Sequence, residues 1–326
     1  MKTVNIIEAR EILLQGGVVA IPTETVYGLA GWIQSETGLA KIFSTKERPF
    51  FDPLIVHVNS IEKAKSLTTN WTIVHEALAA ACWPGPLTLI AKKSSSIHPL
   101  ITSGLDSVGL RCPKHELTLS LLESMEGGLA APSANKFGKT SPSLASHVFE
   151  EFGDSVPVLD GGPCEVGIES TVVGIEEVAG PWKVHIYRPG FYTAQSLQII
   201  LDKHQIKAVV DYAQSPVAPG QLKHHYMPNI PLVITPPDFD WKLHKEIVEK
   251  YFNKSFSSPA FWQLPLEPEF ASRVLYEDLR RFSANGHDLI LITRDSKHNQ
   301  EEWLGIWNRL TKARSLEISD SFTLSE

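Results

Sequence analysis

The chain of 326 residues is short of several things, and each shortage closes a class of function. It has three cysteines, Cys82, Cys112 and Cys164, far apart and without a Cys-x-x-Cys pair. A zinc ribbon or a disulfide framework needs closely spaced pairs, so buried thiols in a reducing compartment are expected, and no protein-held metal. No apolar run reaches the ~18 residues that a membrane-spanning helix needs. The first apolar stretch is broken by Glu8, Arg10 and Glu11, which a signal-peptide core does not tolerate. A soluble, cytoplasmic protein with no membrane partner is expected. Positive charge is also scarce: 30 Lys and Arg face 37 Asp and Glu, a net charge of −7. Proteins that wrap RNA carry a basic surface, so stable RNA binding by this chain is not expected.

What is present is an ordinary globular composition, 43% hydrophobic, at a length that suits about two domains. The hydrophobic spacing predicts helices over 5–15, 36–45, 72–82, 115–124, 143–152 and 193–204. Between them lie short apolar runs expected as strands: 18–21, 54–58, 87–91, 108–111, 129–131, 156–159, 171–175 and 184–187. Hairpin-like spacing near 160–190 argues against a purely parallel sheet. Residues 1–212 are therefore expected as one mixed α/β domain. Residues 213–230 hold three prolines and a glycine and break the rhythm. Residues 231–326 alternate again, with strands at 232–234, 259–264 and 289–293 and helices near 241–252, 269–284 and 301–314. That pattern predicts a smaller Rossmann-like α/β domain.

The polar residues fall in short motifs. In IPTETVYGLAG (21–31), an extended backbone would put Thr23, Thr25 and Tyr27 on one face and Glu24 on the other. In KERPFFDPLIVHV (46–58), Lys46 and Arg48 are two apart and would form a phosphate clamp, with Asp52 in a proline-stiffened turn and His57 interrupting a strand. Arg111 ends a strand and needs an anion, either a core carboxylate or a substrate. In APSANKFGKTSPS (131–143), Gly138-Lys139-Thr140 imitates a P-loop, but Ser133 stands where its first glycine belongs, which excludes that motif. Ser133 and Asn135 remain as a one-face pair, with Ser141 before Pro142 at an expected helix start. GIEST (167–171) offers Ser170 and Thr171, and IYRPG (186–190) offers Arg188. Four cations, several hydroxyls and no general-base dyad suit holding phosphates and a carboxylate more than hydrolysis.

The ordered motifs PTETVYGL, KxRPxxxPLIVH, WPGPLT, GLRxP, APSAN, SPS, DGG, GIESTVV and RPG resemble the YrdC-type threonylcarbamoyl-AMP synthase family over residues 5–195. APGQLKHHYMP (218–228) and WLGIWNRLTKAR (303–314) are similar to its longer, two-domain branch. The resemblance implies a twisted mixed sheet with outer helices and a concave positive face, and a nucleotidyltransferase that joins L-threonine, bicarbonate and ATP. It implies that threonine is held by Thr25, His57, Ser107, Arg111 and Ser170 or Thr171, with Ala131 lining the site and Arg111 on the carboxylate. ATP would be held by Lys46, Arg48, Ser133, Asn135, Ser141 and Arg188, near Asp52 and Tyr226, with Mg2+ accompanying it. Lys46 and Arg48 would carry the catalysis by stabilising phosphate charge. His57 is a candidate base for the threonine amine. The product would pass to a tRNA threonylcarbamoyltransferase. Asp52 stands where the family often has asparagine, and Gln221-Leu222 where it commonly has methionine and an aromatic or basic residue. A carbamoyltransferase built on a similar domain would also need zinc-finger modules, which the missing Cys pairs exclude. An RNA-binding module would need aromatics among its basic clusters. The bulky run His224-His225-Tyr226-Met227 predicts a linker that is a lid over the nucleotide, or else a clasp on the second domain.

Overall fold

A computed structural model of the protein describes residues 2–213 and 225–319 and the backbone of Leu324–Ser325. The chain divides into two compact units, Met1–Phe137 with Ser141–Gln221, and Gly138–Thr140 with Leu222–Glu326. The break between the units lies at 221/222, and the three residues Gly138–Thr140 group with the second unit.

The first unit is built on a ten-stranded mixed sheet. Its strands are β1 Val19–Ile21, β2 Gly28–Trp32, β3 Ile55–His57, β4 Thr68–Asn70, β5 Leu87–Lys93, β6 Ser107–Arg111, β7 Leu129–Ala130, β8 Thr171–Glu176, β9 Trp182–Arg188 and β10 Ala208–Tyr212. They lie in the order β1-β2-β7-β3-β6-β5-β8-β9-β10, and β4 pairs with β5. β8 and β9 form the expected antiparallel hairpin, while β3 and β6 run parallel. All six expected helices are present, as Ile6–Leu14, Glu36–Lys46, Ile73–Cys82, Glu116–Glu123, Ala145–Phe152 and Ala194–Lys203. Side-chain caps fix several of their starts: Asn5, Thr72 and Thr193 each accept from the third backbone N–H of their helix and complete a capping box.

Alternation along the strands places the site. Val56, Leu89, Val108, Leu110 and Val173 point to one side and join apolar clusters. Ile55, His57, Thr88, Ser107, Gly109 and Arg111 occupy the intervening positions and face the other way. Gly109 keeps this face low, since a Cβ there would stand 3.2 Å from Thr88 Cγ2. Beside it lies a small cavity of about 20 Å³, lined by Thr88, Ser107 and Gly109 among others.

Residues 156–159 form no strand. They make only isolated bridges, Val158 with Thr3 and with Ala20. β2, β4 and β10 were not expected. The three cysteines are free and buried, and burial pushes the thiols up to about 11 for Cys82 and Cys112 and about 12 for Cys164. Among the described residues no helix is long and apolar enough to cross a membrane.

The second unit carries β11 Leu232–Thr235, β12 Pro259–Trp262, β13 Leu289–Thr293, β14 Leu316–Ile318 and β15 Leu324–Ser325 in the order β12-β13-β11-β14-β15. The first four are mutually parallel, the Rossmann-like pattern expected. Helices Trp241–Phe252, Pro268–Ala284 and Leu304–Ala313 connect them.

Candidate functional site

Two clusters of buried charge occupy the first unit. The first gathers at the carboxyl ends of β3 and β6, where His57 and Arg111 are register partners. Arg111 is 4% exposed. Its Nη2 donates to Thr25 Oγ1 at 2.8 Å and meets Glu24 Oε2 at 2.8 Å. Its Nε has no hydrogen-bond partner, and neither has Glu24 Oε1 or His57 Nδ1. A core carboxylate therefore takes half of Arg111, and its buried Nε stays unpartnered.

The expectation for residues 21–27 needs correction. The segment is a turn between β1 and β2, not an extended strand. Thr23 Oγ1 accepts from the N–H of Thr25 and of Val26 and donates to Val26 O, a local bonding that outcompetes the ladder. The turn brings Glu24 toward Arg111 instead of to the opposite face. His57 also departs from its assigned chemistry. Burial, and then the Arg111 charge, lower its pKa to about 3. The imidazole is neutral near pH 7 and too weak a base to deprotonate an ammonium group.

The second cluster holds the other cations. Lys46 and Arg48 are not on an extended segment. Lys46 closes helix Glu36–Lys46, and Glu47 is a left-handed cap at φ 53° that turns the chain. Lys46 Nζ donates to the carbonyls of Ser133, at 2.5 Å, and Asn135. Burial, then Arg48, depress its pKa well below the usual lysine range. Arg48 Nη2 meets Asp52 Oδ2 at 2.9 Å and donates to Pro53 O at 2.9 Å. The carboxylate at position 52 is thus matched by an arginine four residues earlier. Burial raises the Asp52 carboxyl, while Arg48, Lys46 and Arg188 pull it the other way.

Arg188 donates from Nε to Ser170 O and from Nη2 to Ser170 Oγ, both at 3.1 Å. Ser170 Oγ also lies 2.8 Å from Thr88 Oγ1. The alternative between Ser170 and Thr171 gains a structural difference: the Thr171 hydroxyl donates to Tyr192 O and accepts from Tyr192 N, fixing a turn. Ser141 does not start a helix. Helix Ala145–Phe152 begins after it, and its hydroxyl donates to Glu169 Oε1 at 2.6 Å. Ala131 is buried, and its N–H donates to Ile55 O at 3.0 Å. Ser107 shares a strand face with Arg111 but starts the strand that Arg111 ends, four residues apart. Tyr226 lies in the second unit, 5.8 Å from Tyr276 ring to ring, with Arg309 over its face. Gln221 and Leu222 lie outside the described residues. Glu24 and Glu169 are buried carboxylates beside these hydroxyls and cations that motif reading gives no role. Both stand inside quoted motifs, PTE and IES, so the signal was an acidic residue among hydroxyls beside an expected cation face.

Fold and site together define a two-unit α/β protein whose first unit gathers its buried cations in two clusters beside a mixed sheet. The chain belongs to the Sua5–YciO–YrdC family, described as telomere recombination, which matches residues 11–190. Residues 193–315 match the family described as threonylcarbamoyl-AMP synthase, C-terminal domain. A threonylcarbamoyl-AMP synthase of Pyrococcus abyssi is 34% identical over 328 residues, covering 95% of this chain and 94% of the relative. One of Bacillus subtilis is 32% identical, covering 95% and 92%. The crystal structure of P. abyssi Sua5 complexed with L-threonine superposes with a TM-score of 0.79 at 32% identity, covering 94% of this chain and 93% of that one.

Proposed function

We propose that the protein is an L-threonylcarbamoyladenylate synthase, a nucleotidyltransferase that makes threonylcarbamoyl-AMP and pyrophosphate from L-threonine, bicarbonate and ATP. The observation that carries this reading is the pair of separate buried cation clusters in the first unit. One centres on Arg111 with an open Nε. The other is Lys46, Arg48 and Arg188, whose charges are all felt by Asp52. A carboxylate and a polyphosphate are the ligands that two such clusters suit.

The threonine carboxylate meets Arg111 Nε, and Thr25 and Glu24 hold the guanidinium in plane. Neutral His57 orients the amino acid by hydrogen bonding and takes no proton. The amine, its proton lost to solvent, bonds to the carbon of bicarbonate, from which water leaves, or to that of carbon dioxide, and gives N-carboxythreonine. Its new carboxylate attacks the α-phosphorus, and pyrophosphate leaves. Lys46, Arg48 and Arg188 offset charge on the phosphates, so positioning and electrostatics supply the rate. Ser133, Asn135 and Ser141 shape the nucleotide side, and Ser170 the threonine side. Magnesium (Mg2+) enters with ATP. The donor set fits an ion carried by phosphates and not a protein cage: among the described residues no three His, Cys, Asp or Glu converge. When bound with ATP, the ion neutralises phosphate charge beyond what Lys and Arg cover. The product passes to a tRNA threonylcarbamoyltransferase in the cytoplasm, without stable tRNA binding by this chain.

Incubation with 13C-bicarbonate, threonine and ATP, followed by mass spectrometry, tests the reading. A labelled threonylcarbamoyl-AMP is expected. ADP with a phosphorylated threonine would contradict it.

A further inference from the structure

The second unit holds a cavity that this reaction does not use. From β11 the chain passes β13 to reach β12, and from β13 it passes β11 to reach β14. Parallel crossovers are right-handed, so the helices after these two neighbouring strands lie on opposite faces. The packing agrees. Val248, of helix Trp241–Phe252, clusters with Val233, Leu289, Leu291 and Leu316. Leu232, Ile234, Ile290 and Ile292 are buried on the other face. Where neighbouring loops part in this way, a crevice opens beyond the carboxyl ends of the strands, the place where open α/β sheets bind ligands. Thr235 lines it, its hydroxyl 3.2 Å from that of Thr293 on the neighbouring strand.

The crevice is a cavity of about 470 Å³, lined by Thr235, Pro236, Arg294, Ser296, Asn299 and Ser319 among others. Small-molecule sites span roughly 300–1,000 Å³. The two carboxylates on its wall are matched: Asp295 lies 3.0 Å from Lys297, and Glu317 lies 3.2 Å from Arg314. The Arg294 guanidinium has no hydrogen-bond or carboxylate partner among the described residues. It is held over the Trp307 ring, 5.0 Å from its centroid. Beneath it, Trp307 Nε1 and His298 Nε2 are buried, their residues 2% and 4% exposed, and neither atom has a partner. His298 Nδ1 accepts from Asp295 N at 3.2 Å, so in the neutral ring Nε2 carries the proton. The carboxylates on the wall thus have their own cations, and Arg294, the cation among the lining residues, is left without a counter-charge among the described residues, the condition an anion satisfies. The loop after β11, Pro236-Pro237-Asp238, has no glycine-rich turn of the kind that cradles a dinucleotide pyrophosphate. That favours a single anionic group.

We propose that this crevice is a second ligand site, which takes a small phosphorylated molecule of mononucleotide size with its phosphate on Arg294. The probe is AMP, titrated into the full-length chain and followed by the indole 15N–H signal of Trp307, which Trp307→Phe assigns. The signal should shift saturably with AMP and stay still with adenosine. Arg294→Gln should weaken the response at least tenfold, and Arg294→Lys should restore part of it. Threonine- and bicarbonate-dependent pyrophosphate release should be unchanged in both variants. Arg294→Lys keeps the charge and so reports even if the glutamine variant loses its fold. An unmoved Trp307 signal, an equal shift with adenosine, or equal AMP affinity in wild type and the lysine and glutamine variants would overturn the proposal.

Discussion

Arg111 is shared between Glu24, Thr25 and an open Nε, and that sharing sets what its loss does. Arg111→Ala should raise the threonine requirement far more than the ATP requirement, and Arg188→Ala should do the reverse. A lost charge-assisted bond costs about 1.5–3 kcal/mol, roughly ten- to a hundred-fold in affinity. Calorimetric titration of both variants with both ligands checks this, and equal effects on the two ligands would contradict the assignment. His57 yields a prediction in pH. Its folded pKa of about 3 lies below the unfolded value of 6.5, so between these values the unfolded chain binds the extra proton. The stability it contributes is full above pH 6.5 and is lost as pH falls through that window. His57→Gln should flatten the acid limb of a melting-temperature profile measured from pH 7 to pH 4. An unchanged acid limb would show that His57 titrates normally. The cations of the site were legible in the sequence because Lys and Arg stood in compact motifs. Their partners were not. Glu24 was assigned to the opposite face because the Thr23 turn, a side-chain-to-backbone effect, is invisible to a two-residue period.

At the scale of elements, the longer helices are legible because caps and glycines mark many of their ends, whereas the short helices Ile61–Ser66, despite its Ser60 cap, and Pro99–Thr102 are not among those expected. Short strands were read less well. β2 was missed because Gly28, Leu29, Ala30 and Gly31 carry no alternation and all four are buried. Residues 156–159 have the composition of a strand, but their ladder reduces to single bridges. The linker shows the same limit. Its residues 214–224 lie outside those described. The part that follows packs within the second unit: His225 N donates to Lys312 O at 3.1 Å, and Tyr226 stacks on Tyr276. That geometry supports the clasp for this part of the segment. Tyr226 is 1% exposed, and truncating a buried aromatic costs about 3–5 kcal/mol. Tyr226→Ala should lower the melting temperature by several degrees, whereas Tyr226→Phe should keep most of the stability. A Tyr226→Ala protein of normal stability that had lost turnover would instead favour the lid.

For the whole molecule, the two-domain pattern was visible because two runs of strand and helix flank a proline-rich break. The distribution of the site was not, since Lys46 at a helix end, Arg111 and Arg188 at strand ends and Ser170 just before a strand come from segments far apart in sequence. The net charge of −7 argues at the same scale. Filter binding of tRNA should be weak at low salt and vanish as salt rises, because few phosphates are neutralised. Binding that survives physiological salt would contradict this. The central claim is that the two cation clusters hold a carboxylate and a triphosphate for a single adenylylation. The most direct test is the initial rate of pyrophosphate release, with threonine, bicarbonate or ATP left out in turn. Release is expected only when all three are present, and serine should be the strongest substitute for threonine, weaker by the about 1–3 kcal/mol that a missing methyl is worth. Pyrophosphate release that ignores threonine or bicarbonate would contradict the account.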